Sequence, residues 1–270
     1  MDKIVVKNLH FKYKGNSEET LNDINLTFDN RSTAIIGQNG AGKTTFVKLL
    51  KGLLKQNSGE IIICGKNTRD TTAAELAKYI GLVFQNPNDQ IFKSKVIDEV
   101  MFGPINIGQS SEEARRNSLD ALKMLGLGEV INKNPYDLSL SERKLITIAS
   151  IVAMDTDIII FDEPTIAQDF AGKEKIKKLI KELKNKGKIV LTIIHDMDFV
   201  AEAFERTIVF NKGSVILDGD TKDVYSNEEI LKKAYLELPH VTQLCKQLGY
   251  NETFLSVDDF VEFYKNNNIN

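Results

Sequence analysis

Cysteine is scarce in this chain. Its 270 residues hold two, Cys64 and Cys245, far apart and in no C-x-x-C or metal-type spacing, which excludes a cysteine-based metal or redox motif. Free thiols in a reducing compartment are the expectation. Long apolar runs are missing as well. No stretch approaches the ~18 apolar residues of a membrane helix, and the opening Met1-Asp2-Lys3-Ile4-Val5-Val6-Lys7 has no signal-peptide core. A cytosolic chain is expected, with any membrane contact made through a partner. There is no basic excess either. A net charge of −3 argues against a dedicated nucleic-acid binder. The lysines of segment 173–188 fall at helical spacing among apolar residues, as on a solvated helix face. Internal repeats and low-complexity tracts are absent. A hydrophobic share of 42% suffices for a sizeable core, in one large domain or one domain plus a small appendage.

What is present begins with Gly37-Gln38-Asn39-Gly40-Ala41-Gly42-Lys43-Thr44-Thr45. It fits G-x-x-x-x-G-K-[ST], the P-loop that binds nucleotide phosphates. Gly37, Gly40 and Gly42 allow tight turning and close approach of backbone N–H groups to phosphate. Lys43 suits the β- and γ-phosphates, and the Thr44 hydroxyl suits Mg²⁺. The context agrees: residues 32–36 read as a buried strand and 43–51 as a helix ending at Gly52. A strand, a glycine loop and a helix N-terminus together form an anion site.

Around this unit, segments 4–9 and 21–28 alternate like half-buried strands. Segment 59–64 reads as a strand, 72–78 as a short helix and 79–84 as a strand. No convincing strand follows between 96 and 154. There, Ser110-Ser111-Glu112-Glu113 predicts a capping box opening a helix that stops near Gly126, and a second helix is expected from about 141 to 154. Buried strands return at 157–161 and 189–194, separated by a helix with Ile176, Leu179, Ile180 and Leu183 on one face. Lys212-Gly213 marks a hairpin. Short apolar strands alternating with helices predict a parallel sheet covered on both faces, interrupted by a helical insertion. Beyond about 221 only helical pieces are expected, one starting at Pro239, with Asn266-Asn267-Asn268 as a frayed end.

Two strand ends carry candidate chemistry. Ile158-Ile159-Ile160-Phe161-Asp162-Glu163 is an apolar strand ending in two carboxylates, and the C-terminal edge of a parallel sheet is where functional groups gather. Asp162 suits the Mg²⁺ shared with Thr44, and Glu163 suits the orientation and deprotonation of an attacking water. Ile193-Ile194-His195-Asp196 ends in a polar pair. By itself His195 fits a structural role as well as a hydrogen bond to a γ-phosphate, and Gln85, after Gly81-Leu82-Val83-Phe84, is equally ambiguous.

The ordered set of P-loop, Gln85, helical insertion, Asp162-Glu163 and His195 resembles the ATP-binding-cassette (ABC) ATPases over about residues 3–220. The resemblance implies an α/β fold: a P-loop NTPase (RecA-like) core, an antiparallel β subdomain, an ABC helical subdomain (about 86–154) and a C-terminal helical extension (221–270) after a nucleotide-binding domain (1–220). It implies ATP and Mg²⁺ as ligands. Glu163, His195 and Gln85 would be catalytic, and Thr44, Gln85 and Asp162 would hold the metal. Tyr13, otherwise readable as core or edge packing, would stack on adenine. Ser139 would contact the nucleotide across a dimer, and Asp169 would be the D-loop aspartate at that interface. Gln85-Asn86-Pro87-Asn88-Asp89-Gln90-Ile91-Phe92, Ile97-Asp98-Glu99-Val100-Met101-Phe102-Gly103-Pro104 and Leu238-Pro239-His240-Val241-Thr242-Gln243-Leu244 are similar to energy-coupling-factor (ECF) transporter ATPases, which serve vitamin, cobalt and nickel uptake. That likeness implies a peripheral protein on the cytoplasmic face of the cell membrane. Its implied partners are a transmembrane coupling subunit, a substrate-binding membrane subunit and a second ABC ATPase subunit. Another ABC importer, or a weakly hydrolysing ABC switch, is the alternative.

One motif departs from the family. Its signature Leu-Ser-Gly-Gly-Gln aligns with Leu138-Ser139-Leu140-Ser141-Glu142. Leu140 and Ser141 add side chains where glycines permit close approach. Glu142 adds negative charge near a polyanion, at ~2–3 kcal/mol per like-charge pair at ~6 Å and an effective dielectric of ~20. Arg143 and Lys144 are expected to offset part of it. A homodimer would oppose a weak signature to both nucleotides, so a heterodimer with an intact partner signature is expected. Repair and translation ATPases of the family carry paired cassettes, coiled-coil insertions or basic arms, and none is seen here.

Overall fold

Two kinds of strand in this chain build two sheets. The structure, a computed structural model, describes residues 3–267. Strands β1 (Ile4–Phe11) and β2 (Leu21–Phe28) mix buried and exposed positions. With β4 (Ser58–Ile63) and β5 (Lys66–Asn67) they form an antiparallel sheet in the order β2-β1-β4-β5. Strands β3 (Thr33–Gly37), β6 (Ile80–Val83), β7 (Ile158–Asp162) and β8 (Ile189–Ile193) are buried at every position, as a sheet covered on both faces requires. They join β9 (Arg206–Asn211) and β10 (Ser214–Asp220) in the order β10-β9-β3-β8-β7-β6. All neighbours in this sheet run parallel except the β9–β10 hairpin.

The parallel sheet divides the core by strand alternation. Ile158 and Ile160 face a core shared with the antiparallel sheet and α1 (Lys43–Leu50). Ile159 and Phe161 face the opposite core. Each such side chain contributes about 1.5–3 kcal/mol by leaving water. The short α2 (Ala73–Leu76) precedes β6. The expected helical insertion lies between β6 and β7 as α3 (Val96–Asn106), α4 (Ser111–Met124) and α5 (Leu140–Val152), with 3₁₀ turns and no strand among the described residues. The lysine-rich helix is α6 (Phe170–Asn185). Its apolar stripe Ile176, Leu179, Ile180 and Leu183 is buried and its lysines line the outside, as an amphipathic surface helix demands.

Helices α7 (Met197–Ala203), α8 (Thr221–Ser226), α9 (Glu228–Lys233), α10 (His240–Gln247) and α11 (Val257–Asn267) complete the described chain. Val224, Tyr225 and Leu231 belong to the same core as the insertion, so the first part of the extension is welded to the sheet. Elements begin or end within a residue or two of expectation, with three differences. The capping box at Ser110 is only half formed: Ser110 accepts from the Glu113 N–H at 3.2 Å, and no return bond from the Glu113 side chain is made. A complete box stands instead at Thr72 and Glu75. Asn266 and Asn267 are in α11 rather than frayed, and Asn268 lies outside the described residues.

Candidate functional site

Because β3, β6, β7 and β8 run parallel, their C-terminal ends meet at one edge. There the chain places the P-loop, Gln85, Asp162-Glu163 and His195. Gly37 ends β3 with φ +150, and Gly42 is the N-cap of α1 with φ +99 and no side-chain cap. A Cβ at Gly37 would lie 2.3 Å from the Phe210 carbonyl oxygen; one at Gly42 would lie 2.6 Å from Leu21 Cδ2. Only glycine fits at either point. Gly40, at φ +81, has open space around it. With no side chain on them, the first amides of α1 are available to a polyanion. Lys43 is 5% exposed, and its Nζ donates to the Gly37 and Gln38 carbonyls at 2.7 and 2.8 Å. Burial lowers its pKa, opposed by the charges of Glu163 and Asp162. Asn39, Gly40, Gly42, Lys43, Thr44 and Thr45 line a cleft of about 850 Å³ that Tyr13, Gln85 and Glu163 also border.

Thr44 Oγ1 donates to Asp162 Oδ2 at 3.2 Å. Asp162 Oδ1 is buried and has no hydrogen-bond partner. Burial raises the carboxyl pKa, and the Thr44 bond opposes the shift. An orphaned carboxylate oxygen beside a hydroxyl is a fit for a hard cation. Among the described residues no three His, Cys, Asp or Glu are placed to hold a metal ion together. Thr44, Asp162 and Gln85 line one pocket, and such a donor set would suit a cation held largely by a ligand's own phosphates, the habit of Mg²⁺.

Glu163 follows β7 at φ +50, a left-handed conformation costly for a residue with a side chain. Its N–H bonds to the Ile193 carbonyl at 2.9 Å, which anchors the turn on β8. Its Oε1 lies 3.3 Å from His195 Nε2. His195 is the main cause that holds the carboxyl below the usual glutamate range; burial opposes it, and the Gln85 side chain adds a smaller lowering. The two ambiguous residues, His195 and Gln85, thus converge on Glu163.

Tyr13 is 38% exposed. Phe11 sets its ring edge-to-face at 4.8 Å, and its hydroxyl meets Thr45 Oγ1 at 3.1 Å. That contact ties the β1–β2 loop to the first turn of α1.

The signature segment is built differently. Ser139 is the N-cap of α5 and accepts the Glu142 N–H at 3.2 Å. The Glu142 carboxylate accepts the Ser139 N–H at 2.9 Å and the Ser139 hydroxyl at 2.7 Å. These bonds from the Ser139 side chain and then its backbone hold the Glu142 carboxyl below its ordinary range. The expected offset by Arg143 and Lys144 is corrected here: Arg143 bonds Asn88 Oδ1 at 2.9 Å and Lys144 points into the core, so neither serves the start of α5. Ser141 exchanges two hydrogen bonds with Gln168, at 3.0 and 3.1 Å. Asp169 caps α6 through the Gly172 N–H at 2.8 Å. Sequence reasoning missed Gln168, the Thr45 contact and the box itself, though Ser139-Leu140-Ser141-Glu142 matches S-x-x-E.

The ABC transporter family profile matches residues 21–166. An energy-coupling factor transporter ATP-binding protein EcfA of Methanocaldococcus jannaschii is 37% identical over 249 residues, covering 91% of this chain and 89% of that protein. The structure of cbiO1 from Clostridium perfringens, described as part of the ABC transporter complex cbiONQ, superposes with TM-score 0.76 at 32% identity, over 91% of this chain and 99% of that one. A dimeric post-hydrolysis state of the ATP-binding cassette MJ0796, bound to ADP and Pi, gives 0.74 at 32% identity, over 81% and 98%.

Proposed function

This chain belongs to the ABC transporter family as an ATPase coupled to transport, and from that premise we propose that it is the ATP-hydrolysing subunit of an ECF-type system importing a vitamin or a transition-metal ion. The observation that carries the hydrolytic part is the gathering of Lys43, Thr44, the unpartnered Asp162 Oδ1, Glu163 and His195 on one sheet edge. The likeness to EcfA and cbiO1 supports the ECF assignment.

In this reading the α1 amides and Lys43 bind the β- and γ-phosphates while Tyr13 stacks on adenine. Thr44, Asp162 and Gln85 would hold Mg²⁺, which would supply charge neutralisation to the phosphates. Glu163, kept ionised by His195, takes a proton from water as its oxygen attacks the γ-phosphorus and ADP leaves. His195 orients that carboxylate and reaches the γ-phosphate. Most of the rate then comes from placement and fixed charge.

A second cassette and the membrane subunits complete the machine. The Ser139 hydroxyl and N–H are taken by Glu142, so a site relying on this signature must compete with an internal carboxylate. A heterodimeric partner with an intact signature would make the site on Lys43 and Glu163 the fast one. For the membrane side, Phe92 and Phe102 stand 56% and 40% exposed. They pack edge-to-face at 4.6 Å with Lys93 over both rings, and buried Glu99 holds the Phe92 and Lys93 amides at 3.0 and 2.8 Å. This rigid apolar patch beside the Gln85 loop suits a coupling segment of a transmembrane subunit. No helix among the described residues is long and apolar enough to cross a membrane.

The test is Glu163→Gln in the complex assembled with its membrane components. ATP binding is expected to stay within threefold while phosphate release falls at least ~100-fold, the scale of a lost general base. Turnover within threefold of wild type removes Glu163 as the base.

A further inference from the structure

Lys144 is buried to 1% exposure on the second turn of α5. Its Nζ donates to the carbonyls of Phe84 and Gln85, both at 2.8 Å, and of Asp162 at 3.0 Å. An ammonium has three N–H groups, and all three are used. The acceptors come from two strand ends: two lie at the base of the loop that carries Gln85, and one lies immediately before Glu163. Burying a lysine is costly, and burial pulls this one down to about 8, opposed by the charges of Asp162 and Glu163. An apolar side chain of similar length would fill the slot without that cost. What it would not do is hold three carbonyls from two strands against one helix.

We propose that Lys144 is a positioning residue for hydrolysis, a three-pronged tie that fixes the signature helix α5 to the Gln85 loop and to the Asp162-Glu163 strand end. This rests on the hydrolytic reading above. Movement of α5 on contact with a second cassette is thereby passed to the metal ligands and the base, rather than absorbed by slippage of the helix over the sheet. Ser141, on the same helix as Lys144, bonds Gln168 and extends the tie to the segment leading into α6.

The experiment compares Lys144→Met and Lys144→Arg with wild type. Three readouts are taken: titration of a fluorescent ATP analogue without metal, Mn²⁺ binding to the ATP-loaded full-length chain by electron paramagnetic resonance, and phosphate release by the assembled complex. For Lys144→Met the nucleotide affinity is expected within twofold, Mn²⁺ binding weakened at least threefold, and turnover reduced tenfold or more. Lys144→Arg, which keeps the donors, is expected to retain a third or more of wild-type turnover. Metal binding and turnover within twofold in Lys144→Met overturn the proposal. So does a parallel fall of nucleotide binding and turnover, which marks general disruption of the fold. If thermal melts show Lys144→Met to be unfolded, Lys144→Gln, with two shorter-reaching donors, carries the same comparison; no split between nucleotide and metal binding there is equally fatal. A wild-type complex without Mg²⁺-ATP turnover sinks the hydrolytic reading instead, while the two titrations still decide the role of Lys144.

Discussion

Helices α1 and α5 begin in opposite ways. The N-terminus of α1 has a glycine cap in the left-handed region, no side chain on its free amides and a buried lysine folded into the loop. That of α5 has a full reciprocal cap, with the Ser139 hydroxyl and amide both bound to Glu142. Every helix start presents unsatisfied N–H groups. Leaving them bare gives a site for an external anion; in α5 the Ser139 hydroxyl takes the Glu142 N–H and the Glu142 carboxylate takes the Ser139 N–H, so two donors at that end are used internally. The same contrast extends to the acids nearby. Asp162 is pushed up by burial and keeps one oxygen unpartnered, whereas Glu142 is held down by two bonds to Ser139. One helix start is open to a ligand, and the other is partly closed by its own cap.

The hardest blow to the comparison is to close α1. Gly42→Ala puts a Cβ 2.6 Å from Leu21 Cδ2 and 2.9 Å from the Thr20 carbonyl, on a backbone at φ +99. ATP affinity is expected to fall ~100-fold or more as the loop shifts, since strain and clash each cost a few kcal/mol. Binding within threefold in a nucleotide titration would mean that the bare glycine start is not what makes the site. Tyr13→Ala tests the other end of the cleft. By analogy with base–aromatic stacking, ATP binding should weaken by ~1–2 kcal/mol, with little change in preference among bases, because stacking uses a face every base has. Unchanged affinity returns Tyr13 to its structural contacts with Phe11 and Thr45.

Opening α5 should act the other way. Glu142→Ala removes the return arm of the box, costing about 0.5–1 kcal/mol of stability, and frees Ser139. In the assembled complex, Glu142→Ala with Leu140→Gly and Ser141→Gly is expected to raise turnover at the slow site several-fold. A decrease or no change, with the fold intact by melting, breaks the link between the self-cap and slow turnover.

The finest distinction is in pH. The Glu142 carboxyl is depressed below 4.5, so its contribution to stability is present above that ordinary value and is lost only as pH falls through the lower folded value. The Asp162 carboxyl is raised above 3.8. Its folded state favours the proton, so this contribution is present at low pH and lost as pH rises through the raised value. Asp162→Asn without nucleotide should therefore melt higher than wild type at pH 7, by about 1 kcal/mol, as expected when a functional site holds unfavourable charge. The gap should close on acidification. Glu142→Ala should melt lower at pH 7, and its gap should persist until below pH 4.5. Melting curves with those gaps reversed in sign would contradict the contrast between the two acids.

What the sequence by itself determined about this protein is whatever has a local cause. The glycines and Lys43-Thr44 specify a phosphate loop because turn geometry and helix starts are set within a few residues. The runs that became β7 and β8 are apolar but for Asp162 and Thr192, and they specify a doubly covered parallel sheet, since their apolar residues fall on both faces. Ser139-x-x-Glu142 had a local cause too, but alignment with glycines drew attention to lost close approach and away from the gained cap. Other features belong to the tertiary structure alone. Nothing near Glu163 in sequence says that His195 and Gln85 will meet it. Nothing near Tyr13 names Thr45, and nothing marks Lys144 as buried beneath three carbonyls. The meetings at Glu163 and Lys144 depend on the register of β6, β7 and β8 and on the docking of α5 against them, and that of Tyr13 with Thr45 on the packing of the antiparallel sheet against α1. Strands far apart in the chain reach one edge only after the core has paid the entropy of bringing them together.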